Sequence, residues 1–336
     1  MENAQKLKPN SAETQLALGY YHYRVLRDYG TAKTTFERLS KMLPGSSEVA
    51  QALGTVARRE GHWAESVAYF EQALALDPRN VELLTDAAAT YTVLRRFPAA
   101  LKLCDRALDI MPNLPDTMAE KASIYQAQGN LQEAARFLSE INEQTPNGEA
   151  FYIKVLQLRF ERNYGEAVRL LQARQSQFHF GTEYEKAFDQ VTLASMQRLT
   201  GDTAGAKLSA ERARGTYEQL YRDQPDNVGF AAWLCHAYAL LGEKDSALKL
   251  AQRAIMLAQS DAVSGPGYEE NLAFIQATFD ENNRAISTLT KLLQTPYVSL
   301  LYSVTPITPA LLRLDPIWDP LRSDPAFQQL CSEKQP

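Results

Sequence analysis

Residues 47–80 read SEVAQALGTVARREGHWAESVAYFEQALALDPRN, and the two stretches that follow repeat their punctuation. Residues 81–114 read VELLTDAAATYTVLRRFPAALKLCDRALDIMPNL, and residues 115–148 read PDTMAEKASIYQAQGNLQEAARFLSEINEQTPNG. Pro44, Pro78, Pro112 and Pro146 are spaced 34 residues apart, and other columns keep the same step. Leu53-Gly54, Ala57, Gly61, Trp63, Ser66, Phe70 and Ala73 align with Ala87-Ala88, Tyr91, Arg95, Phe97, Ala100, Cys104 and Ala107. The third copy supplies Lys121-Ala122, Tyr125, Gly129, Leu131, Ala134, Leu138 and Ile141. A fixed period of this length marks stacked helical hairpins, in which each unit buries its apolar face only by packing on its neighbours.

Each column has a mechanical role. Gly54, Ala88 and Ala122 are small enough to let two helices approach closely. Gly61 and Gly129 stand where the first helix of a pair ends in a left-handed residue. Ala100 and Ala134, with Ser66 as a mild departure, are small residues turned toward the first helix. Pro78, Pro112 and Pro146 stop the second helix, because proline cannot donate the next backbone hydrogen bond. Apolar residues between them recur at helical spacing, as in Phe70, Ala73 and Leu74. The pattern resembles the tetratricopeptide repeat, which implies an all-α, right-handed solenoid of antiparallel hairpins.

The pattern continues in both directions. Upstream, Ala32, Phe36, Leu39 and Pro44 form the second helix of a repeat. Leu18-Gly19 comes one residue early relative to Tyr23, which predicts a bulge or register shift near Tyr20–Tyr23. Ala4 and Pro9 have the spacing of a second-helix end, so the chain is expected to start inside a repeat. Downstream the interval changes: Ala134 to Ala167 is 33 residues, then 39 to Ala206, 41 to Ala247 and 38 to Ala285. These spacings predict about eight hairpins in three regions: a regular array over 1–175, looser hairpins over 176–300, and a closing segment over 301–336. The seam falls near Gln175–Gly181, where Phe178, His179 and Phe180 interrupt the columns.

Composition narrows the function classes. Hydrophobic residues make up 45% and the net charge is −5, with both signs interspersed. No basic footprint for nucleic acid is present. No apolar run is long enough to span a membrane, and no signal peptide opens the chain. Cys104, Cys235 and Cys331 are far apart, and the first two occupy packing columns, so they read as core. His22, His62, His179 and His236 share no metal-ligand spacing. Phosphate-binding, dinucleotide and nucleophile-elbow motifs are lacking. The sequence therefore offers no catalytic residue, metal or cofactor. Glu269-Glu270 could be drawn as a carboxylate dyad, but reads as a solvated helix start.

The end of the chain has a different texture. Three Asp-Pro pairs, Asp315-Pro316, Asp319-Pro320 and Asp324-Pro325, break residues 308–330 into short pieces. Asp324 is placed to cap a last helix with Pro325 in its first turn. Trp318, Leu321, Phe327 and Leu330 are expected to cover the hairpin containing Ala285 and Leu289. This phrase and the repeats before it resemble the C-terminal part of bacterial multidomain signalling proteins, whose heads are serine/threonine kinases, adenylate cyclases or winged-helix regulators. No such head is present here, so the resemblance implies a sensing or docking role without an activity.

In arrays of the resembled family, inward-facing positions of the first helix of each pair line the concave groove. Those columns hold Glu48, Gln51, Thr55 and Arg58, then Glu82, Thr85 and Thr92, then Asp116, Ser123 and Gln126, with Tyr20 and Arg24 in the first repeat. The chaperone-tail carboxylate clamp of lysines and asparagines is absent at them. The expected site is Tyr20, Arg24, Gln51, Thr55, Arg58, Glu82, Thr85, Ser123 and Gln126, and the expected partner a protein or peptide. The expected compartment is the cytoplasm, or the periplasm if the chain belongs to a membrane-anchored protein. Two alternatives to a bacterial signalling scaffold stand: an enzyme whose site hides in the irregular half, and the peptide-sensing region of a transcription regulator.

Overall fold

The computed structural model describes residues 11–332, which are helical apart from turns and loops. The expected second-helix end at Ala4 and Pro9 lies outside the described residues. Among the described residues, sixteen helices pair into eight hairpins, followed by three short helices. The hairpins are α1 (Ala12–Tyr21) with α2 (Tyr29–Met42), α3 (Ser47–Arg59) with α4 (Trp63–Leu76), and α5 (Val81–Val93) with α6 (Phe97–Ile110). Then come α7 (Pro115–Ala127) with α8 (Leu131–Phe137), α9 (Gly148–Phe160) with α10 (Tyr164–Gln177), and α11 (Glu183–Thr200) with α12 (Thr203–Asp223). The last are α13 (Val228–Leu240) with α14 (Lys244–Ala258) and α15 (Gly265–Thr278) with α16 (Asn282–Leu293). The end of the chain forms α17 (Pro309–Leu314), a 3₁₀ turn (Pro316–Leu321) and α18 (Pro325–Ser332).

The same local chemistry builds each hairpin. First helices open on a polar cap: the side chains of Ser46, Asn80, Asn147 and Asn227 accept from Val49, Leu83, Ala150 and Phe230 N–H. These caps satisfy amides that have no partner inside the helix. First helices then end in a left-handed residue. Gly61, Gly129, Gly201 and Gly242 take it with φ of 79–84°. Arg95, Arg162 and Asp280 take it without the freedom of glycine. The alanines of the second helices are buried at the joint, with Ala100, Ala134, Ala167, Ala247 and Ala285 fully covered. Ser66 stands in that column and is fully buried too; its hydroxyl donates to Gly54 O at 2.8 Å.

The chain forms two compact units. The first comprises residues 1–117 with 260–263, and the second residues 118–259 with 264–336. In unit 1, the early Leu18-Gly19 pair is followed by a π-helical turn over His22–Leu26, which absorbs an extra residue. Gly19 is needed there, because a Cβ would lie 2.4 Å from the Phe36 ring. The segment 260–263 is tied in by Asp261, whose Oδ2 accepts from Arg59 Nη1 at 2.8 Å and Tyr29 OH at 3.3 Å.

Unit 2 departs from the sequence reading at Pro146. That proline does not end the second helix: α8 stops at Phe137, and turns fill residues 138–146. Two carbonyls released by those turns, Glu143 O and Thr145 O, are taken by Arg174 Nη1 at 3.2 and 2.8 Å. The C-terminal segment makes a second departure. Beyond packing Trp318, Leu321, Phe327 and Leu330 out of solvent, it runs along the first helices of the unit. Ser299 Oγ donates to Glu270 of α15, Tyr152 OH of α9 donates to Leu301 O at 3.2 Å, and Thr308 Oγ1 donates to Ala127 O of α7 at 2.6 Å. Glu270 is therefore not a solvated helix start; it is fully buried beneath that segment.

Candidate functional site

Unit 1 gathers seven of the nine sequence-predicted groove residues. Arg24 lies over the Tyr20 ring, 5.1 Å from its centroid, and that ring meets Phe36 edge-on at 5.3 Å. Burial, then Glu48, pushes the Tyr20 hydroxyl up to about 12. Gln51 Nε2 donates to Asp86 Oδ2 at 2.8 Å, and Arg58 Nη1 to Thr90 Oγ1 at 3.0 Å. The Thr55 and Thr85 hydroxyls bond their own helices, at Gln51 O and Val81 O. Glu82 is exposed. Arg58 and Gln51 thus brace α3 against α5, while Arg24, Glu48 and Glu82 remain open to a ligand.

Ser123 and Gln126 lie in unit 2 and are buried. Gln126 Nε2 donates to Ile153 O at 3.1 Å and to Gln157 Oε1 at 3.0 Å, tying α7 to α9.

The sequence columns did not point to the cavity in unit 2. It encloses about 620 Å³ between α9, α11, α13, the 178–181 loop and residues 298–304 of the C-terminal segment. Its walls are aromatic: Tyr152, Phe178, Phe180, Tyr184, Phe188 and Trp233. Phe188 meets Trp233 edge-on at 4.7 Å and Tyr152 at 5.1 Å, so the rings hold one another. At the base, Arg174 sits 3.8 Å from the Phe178 ring centroid and 4.2 Å from that of Phe151. Its Nε is 3.2 Å from Asp189 Oδ2, too far off line for a hydrogen bond. Burial pushes the Asp189 carboxyl up to about 7, against the pull of Arg174. The signal in the sequence was the Phe178-His179-Phe180 interruption, which marks the cavity wall.

A second buried cluster fastens the segment beyond the cavity. Arg159 Nη2 meets Asp315 Oδ2 at 2.7 Å with both groups buried, and Trp318 Nε1 donates to Tyr302 OH at 2.7 Å. His236 pairs with Asn271 Oδ1, and burial lowers its imidazole to about 4. These groups fasten the segment to α9 and tie α13 to α15.

Residues 52–115 and 94–155 match two family models described as tetratricopeptide repeat. Together these matches span residues 52–155, about a third of the chain. The TPR repeat-containing thioredoxin TTL4 of Arabidopsis thaliana is 27% identical over 138 residues, 41% of this chain and 20% of that protein. The inactive TPR repeat-containing thioredoxin TTL3 of the same plant is 28% identical over 120 residues, 35% of this chain and 17% of that one. The chain thus spans about a fifth of the length of these curated relatives. A tetratricopeptide repeat protein from Parabacteroides merdae shares the fold, with a TM-score of 0.52 at 18% identity over 79% of this chain and 98% of its own. Tetratricopeptide repeats form protein-interaction scaffolds, and the hairpins beyond residue 155 continue the same packing. No helix among the described residues is long and apolar enough to cross a membrane.

Proposed function

We propose that this chain is a non-catalytic scaffold that holds an extended peptide or protein segment on the first-helix faces of its hairpins. Its setting in this reading is a bacterial signalling or regulatory system of the cytoplasm, on the strength of the Asp-Pro phrase at its C-terminal end. One observation carries the binding mode. In unit 2 that face already holds a stretch of irregular polypeptide, residues 296–308, fastened by the Ala127 carbonyl of α7 and by the side chains of Tyr152 in α9 and Glu270 in α15. The matching face of unit 1 offers Tyr20, Arg24, Gln51, Thr55, Arg58, Glu82 and Thr85 to a partner segment. In unit 2, Gln126 supports the first-helix face from within by tying α7 to α9, and Ser123 is buried in α7.

Selection of random peptides displayed on phage, followed by photo-cross-linking, tests this. A photoreactive residue at Thr55 or Glu82 should cross-link to the selected peptides, whereas one at Lys102 on the second helix α6 should not. Failure to enrich any peptide, or cross-links from Lys102 alone, would overturn the reading.

A further inference from the structure

The cavity of unit 2 has largely aromatic walls and three carboxylates against one guanidinium. Its carboxylates are Glu149 in the first turn of α9, and Glu185 and Asp189 one turn apart on α11. Its one guanidinium, Arg174, is already used. Two backbone carbonyls, the Asp189 carboxylate and three phenyl rings surround it. Glu149 accepts from the Ser303 hydroxyl at 2.7 Å, and Glu185 from Gly181 N at 2.9 Å. Both donors are neutral, so neither rim carboxylate has a salt-bridge partner in the cavity; each is eased only by the helix N-terminus it sits on and, for Glu185, by the more distant Arg174. Asp189 is 6% exposed and lines the cavity, with its Oδ2 3.2 Å from Arg174 Nε. The volume exceeds what one side chain needs and lies in the range of pre-formed ligand sites.

We infer that this cavity takes the basic side chain, lysine or arginine, of a peptide bound to the scaffold. The inference rests on the peptide-binding reading above and adds the residue class that the cavity selects. The alkyl stem would lie against Phe180, Tyr184 and Trp233. Aromatic faces attract a cation, and they do so more strongly where water is excluded. The charged head would meet Glu149 and Glu185 at the rim, with Asp189 deeper in. A guanidinium stacks flat on such rings and gains more from them than an ammonium does. An acidic side chain would face the rim carboxylates, and a neutral one would leave their charge unmet.

Capped pentapeptides with one variable residue between alanines give the test, by calorimetric titration of the full chain. Arginine and lysine versions should bind on the order of tenfold tighter than the citrulline and norleucine versions, the size of a partly desolvated cation–aromatic contact. Glu149→Gln with Glu185→Gln keeps both hydrogen-bond acceptors and should erase that preference with an unchanged melting curve. Asp189→Asn should weaken the arginine peptide as well. Equal binding of the citrulline peptide, a preference that survives the double substitution, or no binding of any pentapeptide at millimolar concentration overturns the inference. Display-selected peptides that still cross-link at Thr55 would then leave the scaffold reading standing. Loss of those cross-links as well would remove both.

Discussion

Glu270 shows how far one carboxylate can move from its ordinary chemistry. Its neighbour Glu269 reaches outward to Lys291 at 2.6 Å, while Glu270 is fully buried and accepts from Ser299 Oγ at 2.5 Å. Burial raises it from 4.5 to about 7, opposed by hydrogen bonds from Ser299, Tyr297 and the backbone of Leu300 and Leu301. The folded chain therefore keeps this proton over a range where the unfolded chain has lost it. Its contribution to stability falls as pH rises from about 4.5 to about 7. Glu270→Gln should track the parent near pH 4 and exceed it above pH 7, by about 3 kcal/mol at most from the linkage arithmetic. Denaturant melts of both proteins at acidic and at mildly alkaline pH check this, and a pH-independent difference would refute it. His236 works in the opposite sense. Its lowered imidazole takes stability away as pH falls from 6.5 toward about 4. Nothing in the Glu269-Glu270 pair distinguishes the two residues by sequence; the difference comes from residues 297–301, which arrive from elsewhere in the chain.

Helices and hairpins were legible because their determinants are local and periodic. The alanine of each joint recurs because two helices cross there in every repeat, and the left-handed turn recurs because each first helix must end. Arg95 and Asp280 hold that turn without glycine, so the column is a backbone requirement that residue identity follows loosely. The caps at Ser46, Asn80, Asn147 and Asn227 are equally local determinants. Pro146 was misleading because a proline marks where a helix cannot continue, not where it has stopped. The decisive partner of those turn carbonyls, Arg174, is a full hairpin away. Apart from the Phe178-His179-Phe180 wall, the cavity was illegible for the same reason: Tyr152, Tyr184 and Trp233 carry no shared spacing, and only packing brings them together. Ala134 tests the periodic part directly. It is fully buried at the joint of α7 with the seven-residue helix α8. Ala134→Leu should cost about 1–3 kcal/mol by overpacking, read as a lower Tm. An unchanged Tm would mean that the short helix can shift to admit the larger side chain.

At the scale of the whole chain, both units are fastened by residues far apart in sequence. In unit 1, Asp261 accepts from Arg59 and Tyr29. In unit 2 the C-terminal segment was expected to cover the last hairpin, and residues 316–332 do lie against α15 and α16. The same segment also crosses the first helices back to Ala127, so removing it affects more than an end. The Arg159–Asp315 pair separates these roles, because Arg159 belongs to α9, well away in sequence from the last hairpin. Asp315→Ala would leave a buried guanidinium without its counter-charge, which costs on the order of 3–5 kcal/mol. Arg159→Met combined with Asp315→Leu removes both charges and fills similar volume, so it should recover most of that loss. Deleting residues 308–336 would strip the pair together with Trp318 and Phe327, exposing Leu289, Leu292 and the aromatic face of Phe274. An apolar patch of that kind drives association. The truncated chain should therefore aggregate in size-exclusion chromatography and lose helix signal beyond the deleted residues, while the double substitution stays monomeric. If the segment only closed the end, Asp315→Ala would melt like the parent, and the truncated chain would lose the last hairpin while keeping the order around Ala127 and Tyr152. Hydrogen exchange of the α7 and α9 amides distinguishes the two: protection lost there on truncation means that the segment holds the first-helix face of unit 2 together.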